Sequence, residues 1–200
     1  MRRLNNCLEN KTYTNIPIWF MRQAGRYLKE FRDIRKNNPD FINLCLNQKL
    51  VNEISLQPIK KFDLDAVILF SDILIIPYGL GQKVTFKKNM GPILGDLNLD
   101  LILNVKENDF INRINPVYQS LNLLKNNMDY KNKSLIGFAG APWTLLLYMI
   151  HKQSPKKNFN KKKILNDKNL LNKLIVKLED IICLHIDKQI EAGANVIQLF

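Results

Sequence analysis

The chain has 200 residues, 46% of them hydrophobic, and carries 30 Lys and Arg against 18 Asp and Glu, a formal net charge of +12. That is enough apolar material for one substantial core, while no stretch approaches the ~18 apolar residues in a row that a membrane span needs. The N-terminal MRRLNNCLEN has no hydrophobic run behind its arginines and is no secretory signal.

Behind the apolar run IPIWF comes MRQAGRY (21–27), where Arg22 and Arg26 stand four apart around short residues that leave the backbone open to close approach. Arg32 and Arg35 extend the stretch and suggest a helical face rich in guanidinium. At this spacing Arg26 reads as an i,i+4 partner of Glu30, the ordinary structural outcome. The competing reading is that these groups grip carboxylates of a ligand bidentately, which arginine does better than the lysine this chain otherwise uses. Next, QKLVNEISLQPIKKF (48–62) has apolar residues at helical spacing, with Pro58 expected to kink or shorten the helix.

DAVILF (65–70) is the first of three runs that read as buried strands, without polar alternation. Ser71 and Asp72 follow at its end among apolar neighbours. A carboxylate there is costly unless paired or functional, and the pattern alone leaves a catalytic Asp72 level with a structural one. YGLGQKVTFKKNMGPILGD (78–96), with four glycines, predicts a hairpin or long loop. DFINRINPVYQSLNLLKNN (109–127) returns to a helical period.

SLIGFA (134–139) predicts the second strand. Small residues at 139–141 then allow a tight turn, Pro142 opens a helix, and its first N–H groups suit an anion. On this helix Trp143 reads as packing. Tyr148 either needs a partner for a buried hydroxyl or sits at the core edge with that hydroxyl in water. NLLNKLIVKLEDIICLHIDKQIEAG (169–193) predicts a long helix closed by Gly193, with His185 as a packing or surface residue. ANVIQLF (194–200) is the third strand.

Strands alternating with helices imply a parallel sheet with crossover helices, whose ligands bind at the carboxyl ends of the strands. No GxGxxG or GxxxxGK[ST] occurs, so a nucleotide-binding sheet has little support. Only three or four strand–helix units fit here, whereas an eight-unit barrel takes about 250 residues. The chain also stops at Phe200 inside an apolar run, so it is expected to be the front part of a longer protein and to form one domain over 1–200. Cys7, Cys45 and Cys183 are scattered, without CxxC or HxxxH spacing, which argues against a zinc site and suits reduced cytosolic thiols.

Three blocks together resemble the uroporphyrinogen decarboxylase family. PIWFMRQAGR (17–26) is similar to its N-terminal signature at every fixed position. GFAGAPWTLLLYMIHK (137–152) is similar to its second signature, with His151 as a departure. FSDILIIPYGLG (70–81) is similar to the segment that carries its central Asp. The resemblance implies a (β/α)8 TIM barrel, of which this chain supplies roughly the N-terminal half, in a cytoplasmic homodimer that works without metal or cofactor. It implies removal of carbon dioxide from the four acetate side chains of uroporphyrinogen III, giving coproporphyrinogen III. Carried over by position, Asp72 accepts hydrogen bonds from the pyrrole N–H groups, and Arg22, Gln23, Ala24, Arg26 and Arg35 bind substrate. Arg22 is also a candidate acid, a weak one because a guanidinium holds its proton tightly. Tyr148 stands beside the reacting acetate, and Ile68, Phe70 and Phe138 form apolar walls. The family's next site residue, a serine, falls two places beyond Phe200, and a histidine comes much later.

Two other classes compete. A corrinoid- or thiol-dependent methyltransferase of the same superfamily would carry a zinc site of His and Cys in residues beyond this chain, and generally lacks the full MRQAGR block. A basic nucleic-acid-binding protein would use the lysine runs KKNFNKKK (156–163) and LKNNMDYKNK (124–133). Those runs read more simply as solvated surface in a Lys- and Asn-rich chain, so no nucleic-acid partner and no membrane partner are expected.

Overall fold

The computed structural model describes residues 2–10, 15–87, 90–127, 132–154 and 167–200. The run KKNFNKKK lies outside them, as do residues 128–131 of LKNNMDYKNK. In chain order the elements are α1 (Arg3–Asn10), α2 (Lys29–Asn37), α3 (Phe41–Cys45), α4 (Gln48–Lys61), β1 (Ala66–Ile68), α5 (Ile75–Gly79), β2 (Val84–Lys87) and β3 (Gly91–Leu94). There follow α6 (Leu99–Asn104), α7 (Glu107–Asn126), β4 (Ser134–Ala139), α8 (Pro142–His151), α9 (Lys168–Glu191) and β5 (Val196–Leu199).

The three apolar runs form one sheet in the order β1-β4-β5. β1 pairs with β4 in parallel, Ala66 opposite Ser134 and Ile68 opposite Ile136. The chain between parallel neighbours must cross over, and it does so through helices. The glycine-rich stretch is a hairpin: β2 and β3 pair antiparallel, from Val84 opposite Leu94 to Lys87 opposite Gly91. Gly91 has a φ of 80°, a backbone that glycine adopts without the clash a side chain would bring.

α4 continues past Pro58 to Lys61, so the proline does not shorten the helix as expected. Asn47 caps it by accepting from the Leu50 N–H at 3.1 Å, and Phe62 N–H donates to the Pro58 carbonyl at 2.8 Å to close it. Proline here forgoes one hydrogen bond in the last turns, while Val51, Ile54, Leu56 and Pro58 itself are buried. Burial of that stripe outweighs the lost bond. α9 ends as predicted, with Gly193 just beyond it at a φ of 116°.

The residues group into two compact units. The first comprises Met1–Asp72, Asn115–Phe138 and Asp187–Gln198; the second comprises Ile73–Ile114, Ala139–Ile186 and Leu199–Phe200. In the first, Leu4, Ala66, Ile68 and Ile136 form one buried cluster, against which Trp19, Phe138 and Val196 pack. Leu28, Phe31, Leu44 and Ile54 form another, with Ala24, Ile34, Leu50 and Phe70 against it. In the second unit Phe110, Ile114, Leu145, Leu146 and Met149 are fully buried. There the Phe110 ring lies so close to Gly79 that a β-carbon at that position would come within 2.6 Å of it. All three cysteines are free. Among the described residues no helix is long and apolar enough to cross a membrane.

Candidate functional site

MRQAGRY is not helical: residues 21–28 form turns, and α2 starts only at Lys29. The turn is fastened from inside. Gln23 is 3% exposed; its Nε2 donates to the Ala66 carbonyl of β1 at 3.1 Å, and its Oε1 accepts from the Phe20 N–H at 3.1 Å. The Tyr27 hydroxyl donates to the Gln23 carbonyl, and Leu28 N–H donates to the Gly25 carbonyl at 3.0 Å. Both polar ends of the Gln23 amide are therefore engaged by backbone.

This leaves Arg22 and Arg26 exposed on a fixed backbone. Among the described residues neither guanidinium makes an ion pair. The Arg26–Glu30 pair suggested by spacing does not form. Arg26 lies ahead of the helix, so the two side chains are not one turn apart on a common face. Glu30 instead pairs with Lys61 at 2.8 Å, a bond that lowers its carboxyl below the usual range. Nor do the four arginines make one guanidinium face. Arg32 and Arg35 are on α2, and both are turned to backbone carbonyls: Arg32 to those of Arg26 and Tyr27, Arg35 to that of Asn38.

Arg35 also stacks over an aromatic ring, its guanidinium carbon 5.2 Å from the centroid of Phe41. Phe41 meets Phe70 edge-on at 5.7 Å, and Phe31 does so at 5.6 Å. The backbone of Phe70 is held by α4, where the Ser55 Oγ accepts from its N–H at 2.9 Å. Two residues on, Asp72 is half-buried. Its charge is felt by Cys45, whose thiol is pushed well up, first by burial and then by the Asp72 carboxylate, with Arg35 opposing. The fold thus brings a carboxylate and a guanidinium of opposite sign near one buried thiol, beside the Phe31–Phe41–Phe70 aromatic group.

Ile68 is buried with Ala66 and Ile136, and Phe138 packs against them half-buried. Gln189 of α9 fixes Phe138, accepting from its N–H at 2.9 Å and donating to its carbonyl at 3.0 Å. Ala24 is half-buried against the Leu28 cluster. Of the expected site residues, the first unit therefore holds Arg22, Gln23, Ala24, Arg26, Arg35, Ile68, Phe70, Asp72 and Phe138.

Tyr148 belongs to the second unit. α8 begins with Pro142 at its first turn as expected, and Tyr148 is half-buried with its hydroxyl 3.4 Å from Ser154 Oγ. Trp143, expected to pack, is 49% exposed. The buried stripe of this helix is Leu145, Leu146 and Met149, and position 143 falls on the opposite side. His185 is a packing residue, 2% exposed and edge-on to Phe110 at 6.3 Å.

Sequence reading missed the fasteners: Arg32, Ser55 and Gln189, and the inward use of Gln23. Only Gln23 carried a signal, an amide between two arginines in an otherwise apolar and small-residue block. The others act on backbone atoms, those of Ser55 and Gln189 distant in sequence.

Comparison with known proteins then adds the family. A family model described as uroporphyrinogen decarboxylase (URO-D) matches residues 1–200. The uroporphyrinogen decarboxylase of Campylobacter jejuni is 41% identical over 98% of this chain and 58% of its own length. That of Aliarcobacter butzleri is 40% identical over 97% and 57%, and that of Rickettsia canadensis 39% identical over 100% and 59%. The chain therefore spans a little over half the length of these relatives. Among solved structures, a methyltransferase from Methanosarcina mazei superposes with a TM-score of 0.76 at 17% identity, over 98% of this chain and 56% of that one. At that identity the likeness shows the fold alone. The fold class is α/β of the (β/α)8 TIM-barrel type, of which the chain supplies the N-terminal half.

Proposed function

The chain belongs to the uroporphyrinogen decarboxylase family, and we propose that the protein it comes from decarboxylates the four acetate side chains of uroporphyrinogen III to methyl groups, giving coproporphyrinogen III. The observation that carries this reading is the pair Arg22 and Arg26, exposed on a fastened turn and without an ion pair among the described residues. Such groups are ready for the carboxylates of a poly-acid, each contact being worth about 1.5–3 kcal/mol.

The chemistry follows from the substrate. The ring carbon next to the one that bears the acetate takes up a proton, and the ring becomes cationic. The bond to the carboxylate then breaks, and its electron pair neutralises the ring as carbon dioxide leaves. The exocyclic methylene that remains is protonated to a methyl group, and the ring carbon gives up the proton it had taken, which restores the pyrrole. The pyrrole is its own electron sink, so the proposed steps draw on no metal or cofactor. Asp72 accepts hydrogen bonds from the pyrrole N–H groups and stabilises the cationic ring, an electrostatic task strengthened by its half-buried setting. Arg22, Arg26 and Arg35 hold carboxylates, with Arg22 also the candidate acid. Ile68, Phe70 and Phe138 line the apolar side. For Tyr148 the family's role, a hydroxyl beside the reacting acetate, remains the proposal.

For Gln23 and Ala24 the proposed contact with substrate is through the backbone they share with the arginines, since the Gln23 amide is engaged internally. The protein is further proposed to act as a cytoplasmic homodimer. The test is to incubate the full-length gene product with uroporphyrinogen and follow coproporphyrinogen. A folded protein that forms none overturns the reading.

A further inference from the structure

α2 carries the acid Glu30 in its first turn, as a helix N-terminus favours, but a cation, Arg32, follows close behind. Arg32 lies near its N-terminus, where unbonded N–H groups already leave partial positive charge. The N-cap, Leu28, has no side chain able to offset it. The Arg32 side chain runs back over this end, and its Nη1 donates to the carbonyl of Arg26 at 2.7 Å and to that of Tyr27 at 3.2 Å. The nearby acids are engaged elsewhere: Asp33 with Lys29 at 2.7 Å, and Glu30 with Lys61. So the guanidinium is committed to two successive carbonyls, one of them the backbone of Arg26.

We propose that Arg32 is a positioning residue for substrate binding: from α2 it holds the carbonyls of Arg26 and Tyr27, and so holds the Arg26 guanidinium ready for a carboxylate of the poly-acid substrate. The inference rests on the decarboxylase reading. Its physical basis is the composition of the turn. Ala24 and Gly25 give it little stiffness of their own, and Gln23 fastens its first half from outside, through Phe20 and Ala66. In the second half Tyr27 and Leu28 bond to carbonyls of the turn itself, and Arg32 supplies the side-chain clamp from α2. Without a clamp on the second half, binding must order the segment, and that cost appears as weaker binding rather than slower chemistry. Arginine suits the task because its planar donors stay charged and keep a fixed direction; a lysine offers a single nitrogen on a looser stem.

The test compares full-length wild type with Arg32→Met and Arg32→Lys. It measures KM and kcat with uroporphyrinogen, melting temperature, and hydrogen–deuterium exchange over residues 20–28. The Met variant is expected to raise KM about tenfold with kcat little changed, and to speed exchange in that segment. Lys should restore part of both, and it also serves if the Met variant does not fold. A Met variant with wild-type KM overturns the proposal. So does a raised KM with unchanged exchange, or a fall in kcat and melting temperature at constant KM, which marks a merely structural residue. If wild type forms no coproporphyrinogen, the decarboxylase reading falls, while the exchange comparison still decides whether Arg32 holds the turn.

Discussion

Gln23 Nε2 donates to the carbonyl of Ala66 across 3.1 Å, tying the turn that carries Arg22 and Arg26 to β1, an edge strand of the sheet. The same amide accepts from Phe20, so one buried side chain satisfies two backbone groups. Gln23→Leu keeps the size but leaves a donor and an acceptor without partners. The expected loss is about 1–3 kcal/mol of stability, read as a lower urea midpoint, together with a higher KM. An unchanged midpoint would mean that the turn is held by other contacts.

Arg26 behaves in the opposite way. Its side chain is exposed and without an ion pair among the described residues, so Arg26→Met should move stability by less than about 0.5 kcal/mol. KM for uroporphyrinogen should rise roughly ten- to hundredfold, the loss of one charged contact. Comparing the two variants separates a residue that builds the turn from one the turn presents. Substantial destabilisation in Arg26→Met would place it with the builders.

Asp72→Asn keeps the shape and removes the charge. Turnover should fall about 10²–10³-fold, as when a transition-state stabiliser is lost, with a near-native melting temperature. Near-normal kcat in this variant would refute the role given to the carboxylate.

How much of this was legible follows from which forces are local. The three strands were readable because buried parallel strands appear as short continuous apolar runs, as in SLIGFA. The hairpin and the Gly193 helix end were readable because glycine permits backbone that other residues avoid. The arginines stood out in a lysine-rich chain. What failed was inference from spacing across a boundary. Arg26 and Glu30 are four apart, yet one is in a turn and the other in a helix, and the partner of Glu30 is Lys61, 31 positions away. Pro58 does not shorten α4 as expected, because the local loss is visible in sequence and the tertiary burial that offsets it is not. The bonds of Arg32, Ser55 and Gln189 end on backbone atoms, which every residue offers, so no residue type marks the target.

Gly137 tests one of those hidden bonds. A β-carbon there would lie 2.6 Å from Gln189 Oε1, 3.0 Å from Ile197 Cδ1 and 3.2 Å from Ala194 Cβ. Gln189 cannot simply withdraw, because that oxygen accepts the Phe138 N–H. Gly137→Ala should therefore cost about 1–3 kcal/mol through overpacking and should shift the environment of Phe138. A melting temperature equal to wild type would show that Gln189 has another place to go.

His185 gives the protein a pH dependence. Burial lowers its pKa from 6.5 to about 3, since the imidazolium would lose its hydration in the second unit's core. The unfolded chain binds a proton at 185 below about pH 6.5, and the folded chain declines it until about pH 3. Between those values the unfolded state holds more protons, so stability rises with pH. The contribution is complete above the unfolded pKa and is lost as pH falls toward the folded one. At pH 5 the loss is about 2 kcal/mol relative to pH 8, approaching a slope of about 1.4 kcal/mol per unit. His185→Gln removes the titration but keeps a polar side chain. Denaturant unfolding at pH 5 to 8, above most carboxylate titrations, should show wild type losing stability more steeply than the variant. Parallel curves would mean that the folded state admits the proton, and hence that the packing around Phe110 opens to water.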